Sequence, residues 1–67
     1  SLIGNNSFLA PCVVVSGFVH IGKNCFVGTN ATIIDNITIG ENTIVGAGSV
    51  VIKDVNDNTK IVGNPAK

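Results

Sequence analysis

Methionine, tryptophan and tyrosine are absent from these 67 residues, and charge is scarce: 12% of the chain, four lysines against four acidic residues. The charges cancel, which removes the electrostatic reason to expect a nucleic-acid or acidic-membrane partner. Disorder is not expected either, because 45% of the chain is hydrophobic. No apolar run approaches the roughly 18 residues a membrane-spanning helix needs, and no charged-plus-apolar leader opens the chain. The single histidine, His20, cannot build a multi-histidine metal site by itself, and CxxC and HExxH motifs are missing. Two cysteines, Cys12 and Cys25, make a poor disulfide framework. Without an initiating methionine, the sequence reads as trimmed at its start or as part of something longer. One domain spanning 1–67 is expected, too small to be comfortably stable without help from neighbours.

What is present is a repeat of six. Ile, Leu or Val stands at every sixth position from Ile3 through Leu9, Val15, Ile21, Val27, Ile33, Ile39 and Val45 to Val51. These three types make up 21 of 67 residues, so nine consecutive hits are far outside chance. The following position is small in seven of the nine hexads, with Ile34 and Ile52 as the exceptions. Three residues after the aliphatic comes Asn, Gly or Asp (Asn6, Asn24, Asn30, Asn36, Asn42, Gly48, Asp54), with Cys12 and Phe18 departing. Asn, Gly and Asp tolerate the positive φ of a tight corner. One position further on, every residue from Ser7 to Val55 is small or β-branched, as a narrow pleated interior requires. Each hexad therefore reads as a short strand followed by a turn.

A period of eighteen overlies the six: Gly4, Gly22 and Gly40 align, as do Asn6, Asn24 and Asn42, while Ser16, Ile34 and Ile52 form another column. Three hexads per coil predict an all-β triangular prism, with residues 3–20, 21–38 and 39–56 as three stacked coils and 57–67 as a short tail. Neighbouring coils would pair as parallel strands about 4.8 Å apart. Stability would come from stacking each coil on the next. No helix is expected, since Gly or Asn interrupts every stretch of helical length.

The hexads, closing with IGENTIVGAGSVVIKDV and then IVGNPAK, resemble the left-handed parallel β-helix of the hexapeptide-repeat acyltransferases, most nearly the bacterial acetyltransferases of nucleotide-linked amino sugars or sialic acid. The resemblance covers residues 3–67 and implies the left-handed form; the general rule for parallel crossovers alone would give a right-handed one. It further implies direct acetyl transfer from acetyl-CoA to an amine or hydroxyl, with a histidine as general base and a backbone N–H for the thioester oxyanion. By the same implication that histidine falls one coil above the column Gly17, Asp35 and Lys53, two residues before Ser1. The sequence then holds the acetyl-CoA-binding part and not the base. Relatives of this kind work in the cytoplasm as homotrimers with the acetyl-CoA clefts between subunits, and no metal is implied.

The expected cofactor contacts are Gly17, whose missing side chain would let the pantetheine arm approach; Thr29 and Ala47, on the opposite wall of the cleft; and Lys53, Pro65 and Lys67. Lysines 53, 60 and 67 offer charge to the phosphates of coenzyme A. The Gly63–Lys67 loop, whose Gly and Pro specify a fixed turn, is expected near the nucleotide end. Phe8 stands where some relatives carry a second histidine touching the acetyl group, so that contact is missing here. His20, in a column with Thr38 and Asn56, has the wrong phase for the base and reads as a surface residue, the alternative being a contact to acceptor or cofactor. Asp35 reads as a solvated corner carboxylate, the alternative being that it polarises a histidine or meets polar groups of the acceptor. Cys25 falls at an inward phase and reads as a small core residue, Cys12 as a corner residue, and no bridge or nucleophilic role is expected of either.

Phe8, Phe26 and Ile44, eighteen apart, form one outward stripe that holds two of the three aromatics. Contiguous outward apolar surface on so small a domain marks an interface, and three-fold closure would bury it. Two other functions fit the repeat: a trimerising β-helix without catalysis, and the β-helix of a sugar nucleotidyltransferase. The GAGSVV and VGNPAK ending favours the acetyltransferase.

Overall fold

The computed structural model describes residues 2–66. Ten two-residue strands follow one another without a helix among the described residues. They are β1 Leu2–Ile3, β2 Phe8–Leu9, β3 Val14–Val15, β4 His20–Ile21, β5 Phe26–Val27, β6 Thr32–Ile33, β7 Thr38–Ile39, β8 Ile44–Val45, β9 Val50–Val51 and β10 Lys60–Ile61. Three parallel sheets result, ordered β1-β4-β7, β2-β5-β8-β10 and β3-β6-β9. Their register is the eighteen-residue period itself: Ile3 pairs with Ile21, Leu9 with Val27 and Val15 with Ile33. The chain is a parallel β-helix of about three coils, of the left-handed class that the resemblance implies.

The second residue of each strand points inward, and below the first coil Ile21, Val27, Ile33, Ile39, Val45 and Val51 are buried along the axis. Val19, Cys25, Ala31, Ile37, Thr43 and Ser49, from the column expected inside, are buried with them. Each large aliphatic so placed contributes roughly 1.5–3 kcal/mol. The two buried hydroxyls are both partnered. Thr43 Oγ1 donates to the carbonyl of Asn56 at 3.1 Å, and Ser49 Oγ accepts from the Gly63 N–H at 3.1 Å.

Corners are left-handed single residues, as the Asn column required. Asn6, Asn24, Asn30, Asn36 and Asn42 all have φ between 57° and 63°. Cys12 (φ 65°) and Phe18 (φ 58°) adopt the same conformation, so the fold imposes the corner on residues that disfavour it. The small residue after each strand answers to the corner of the next coil. A Cβ on Gly28 would lie 2.6 Å from the backbone nitrogen of Ala47, and one on Gly22 would lie 2.8 Å from that of Glu41. At the third corner Ser16, Ile34 and Ile52 occupy this position, and Ile34 and Ile52 turn outward.

Below the third coil the spacing falls from eighteen to sixteen. Ile39 bridges Val55, and Ile44 and Val45 pair with Lys60 and Ile61. The corner after Val51 is two residues shorter, and two carboxylates take up displaced backbone donors. Asp54 Oδ1 accepts from the Thr38 N–H at 2.9 Å, and Asp57 Oδ1 from the Glu41 N–H at 2.8 Å. Two expectations are thereby corrected. The left-handed corner falls on Asn58 (φ 57°) and not on Asp54, and the His20–Thr38 column continues to Asp54 and not to Asn56. The segment 57–67 also carries β10, and Gly63 bridges Ala66 so that the tail folds against the base of the prism.

Candidate functional site

Three corners run down the prism, and the expected contacts divide between two of them and the tail. Gly17, Asp35 and Lys53 follow the third sheet. The Gly17 N–H donates to Asp35 Oδ1 at 3.2 Å, and the Gly17 carbonyl accepts from the Asn36 N–H at 3.0 Å. This fixes the corner while leaving its outer side open: a Cβ placed on Gly17 would meet nothing within 4 Å. A ligand can therefore come up to the backbone there.

Thr29 and Ala47 stand one above the other on the corner between the second and third sheets, both exposed. The Thr29 carbonyl accepts from the Gly48 N–H at 2.8 Å, locking the two coils together. The third sheet lies between the Gly17 corner and the Thr29 corner, with Val14, Thr32 and Val50 as the outward residues of its strands. A single chain therefore does not gather these residues into one pocket.

Lys53 lines a hollow of about 280 Å³ at the base of the prism with Asp54, Asn56, Thr59 and Ala66. Pro65, cis to Asn64, is exposed in the turn just before Ala66. Lys67 lies outside the described residues. A second hollow of about 380 Å³ runs along the first sheet beside His20, Thr38, Glu41 and Asp57, and none of the expected contacts lines it.

His20 is exposed on β4, in register between Leu2 and Thr38, as its phase indicated. Cys25 is buried, with its thiol donating to the Gly40 carbonyl at 3.0 Å; Cys12 is exposed, and both thiols are free. Phe8 and Phe26 stack at a centroid separation of 5.5 Å and 12° between ring planes. Both remain exposed, as does Ile44 below them. Sequence reasoning missed Asp35, Asp54 and Asp57 as bonding partners of the backbone; for the last two a signal was at hand. The available signal was the loss of the hexad after Val51 in a stretch holding two aspartates.

Several solved structures share this geometry. A histidine-to-asparagine variant of perosamine N-acetyltransferase from Caulobacter crescentus, in complex with CoA and GDP-perosamine, is 42% identical over 97% of this chain, with a TM-score of 0.96. A maltose O-acetyltransferase from Clostridium difficile 630 is 39% identical over 98% (TM-score 0.93), and the serine acetyltransferase of Neisseria gonorrhoeae is 40% identical over 97% (TM-score 0.93). The chain spans 31%, 45% and 28% of those three proteins, respectively. No curated protein matches. The family model for the bacterial transferase hexapeptide (six repeats) matches residues 18–53, more than half of the sequence, and the chain belongs to that family.

Proposed function

We propose that this chain is the acetyl-CoA-binding β-helix of a cytoplasmic acetyltransferase that acts on an amine or hydroxyl of a nucleotide-linked or related sugar, and that it works as a homotrimer. The observation carrying this reading is the 42% identity, across 97% of the chain, to a sugar N-acetyltransferase bound to CoA and its nucleotide sugar. The open backbone at Gly17 supports it. In the reaction the acceptor nitrogen or oxygen attacks the thioester carbonyl, the C–S bond breaks, and the thiol of coenzyme A leaves. The acceptor proton passes to a general base. His20 does not serve as that base, because it projects from a strand of the first sheet and not from the Gly17 corner; the base is supplied by a histidine outside residues 1–67.

Gly17, Thr29 and Ala47 flank the pantetheine arm, with Gly17 on one copy and Thr29 and Ala47 on the next. Lys53, Pro65 and Lys67 stand toward the nucleotide end, where the lysines answer phosphate charge. The test is calorimetric titration with coenzyme A, paired with an assay for free thiol in the presence of acetyl-CoA and an amino sugar. Binding without turnover is expected. Absence of binding would overturn the acetyltransferase reading, and robust turnover by these 67 residues would overturn the placement of the base.

A further inference from the structure

Phe18 is the most exposed large apolar residue described, at 81%, and it is held at φ 58° on a corner where Asn36 stands one coil below. Two unfavourable features coincide: an aromatic ring in water, and a bulky residue in the left-handed region that Asn enters more readily. Neither is required by the coil, since asparagine makes this same corner one coil below, at Asn36, and the first corner at Asn6, Asn24 and Asn42. The chain's other two aromatics form a stacked pair on a different surface, the outward face of the second sheet. We infer that Phe18 of one copy docks on the Phe8–Phe26 pair of the next copy in a closed ring. This brings the neighbour's Phe8 opposite the Gly17 corner, so that Phe8 joins Thr29 and Ala47 among the residues the second copy brings to each cofactor cleft. The inference rests on the homotrimer proposed above.

Register supports the pairing. In a ring of prisms with parallel axes every copy lies at the same height, and the chain advances about 4.8 Å along the axis per coil of eighteen. Phe18 comes ten residues after Phe8 and eight before Phe26, so it stands roughly 2.7 Å below the first ring and 2.1 Å above the second. It therefore meets the neighbour's pair between its two members.

The distribution of apolar surface favours a ring over a two-fold dimer. A cyclic contact joins two different patches, whereas a two-fold contact joins a patch to itself. This chain has two patches: Phe8, Phe26 and Ile44 on the second sheet, and Phe18 with Ile34 and Ile52 along the third corner. A stable contact covers about 800 Å² per partner. Two such contacts would take about 1,600 Å² of a total surface of 3940 Å², a share that this many exposed apolar side chains can supply.

Two measurements test the contact. Phe18→Asn places at this corner the residue that most other corners use; Phe18→Gly serves if the asparagine variant does not fold, with circular dichroism as the check. By sedimentation with interference optics, either variant is expected to raise the concentration at which the trimer half-dissociates at least tenfold. Next, F18C chains and F26C chains, both also carrying C12S, are refolded together and mildly oxidised. A disulfide between the two different chains is expected, and neither variant alone should cross-link. An F18C chain bonding to its own kind, or a trimer with unchanged dissociation, overturns the inference while leaving the assembly standing. Loss of coenzyme A affinity in Phe18→Asn with assembly unchanged also overturns it, by assigning the ring to the ligand. A wild-type chain that is monomeric at tens of micromolar overturns assembly and inference together.

Discussion

Three glycines separate the physical reasons for having no side chain, and replacing each with alanine should give three different results. Gly28 has its own side-chain space filled: the added methyl would stand 2.6 Å from the Ala47 nitrogen and 2.8 Å from its Cα, both backbone atoms of the next coil. Backbone cannot rotate away as a flexible side chain would, so the coils must separate. Separation strains the Gly28 N–H to Val45 carbonyl bond and the Gly48 N–H to Thr29 carbonyl bond, both 2.8 Å long. The expected loss is about 3 kcal/mol, at the upper end for overpacking. That is a large share of the roughly 3–10 kcal/mol available to a chain of this length. Gly48 has open space around it but a φ of +71°, so Gly48→Ala should lose only about 1 kcal/mol. Gly17 has open space and no left-handed backbone, so Gly17→Ala should gain about 0.5 kcal/mol through the unfolded state. Urea unfolding followed by circular dichroism measures all three, since the chain has no tryptophan for fluorescence. A Gly28→Ala loss smaller than that of Gly48→Ala would refute the reasoning from coil-to-coil contact.

Removing the Asp54 carboxylate (Asp54→Ala) should cost about 1–2 kcal/mol, because the Thr38 N–H loses its acceptor; Asp54→Asn should retain part of this in the same unfolding assay. Ser49→Ala leaves the Gly63 N–H without its acceptor and should cost about 1 kcal/mol. It should also speed amide hydrogen exchange at Gly63 and Ala66 while leaving the upper coils unchanged. Phe26→Asp puts charge on the outward face of the second sheet, and sedimentation equilibrium should find it dissociated at concentrations where the wild-type chain is expected to form the proposed trimer. His20→Ala should leave coenzyme A affinity within about twofold by calorimetry; a tenfold loss would move the cofactor to the first sheet.

The fold was legible because each hexad position answers to one constraint. The aliphatic at every sixth residue fills the axis, and the Asn column marks corners so reliably that Cys12 and Phe18 take the left-handed conformation by position alone. The slip after Val51 was less legible, since Lys53 and Asp54 keep the hexad's appearance while the backbone shortens by two. Only pairing shows that Val55, and not a residue two further on, meets Ile39. The candidate site was legible as columns and not as a pocket. Gly17 on one corner and Thr29 with Ala47 on another flank opposite edges of the third sheet, and a sequence fixes columns within one chain while a cleft between chains depends on how the faces meet. Among the described residues, Lys53 is the expected contact found lining a hollow, because the shortened corner brings it down to the tail.

Nuclear magnetic resonance decides whether acetyl-CoA lies along the Gly17 corner of one copy and the Thr29 corner of the next, as proposed. Coenzyme A would be titrated into the isotopically labelled chain and the backbone amides followed. The amides of Gly17, Thr29, Ala47 and Lys53 are expected to shift together and saturate at one ligand per chain, with His20 and Thr38 unmoved. Shifts confined to His20, Thr38 and Glu41, or no shift at millimolar coenzyme A, would contradict the claim.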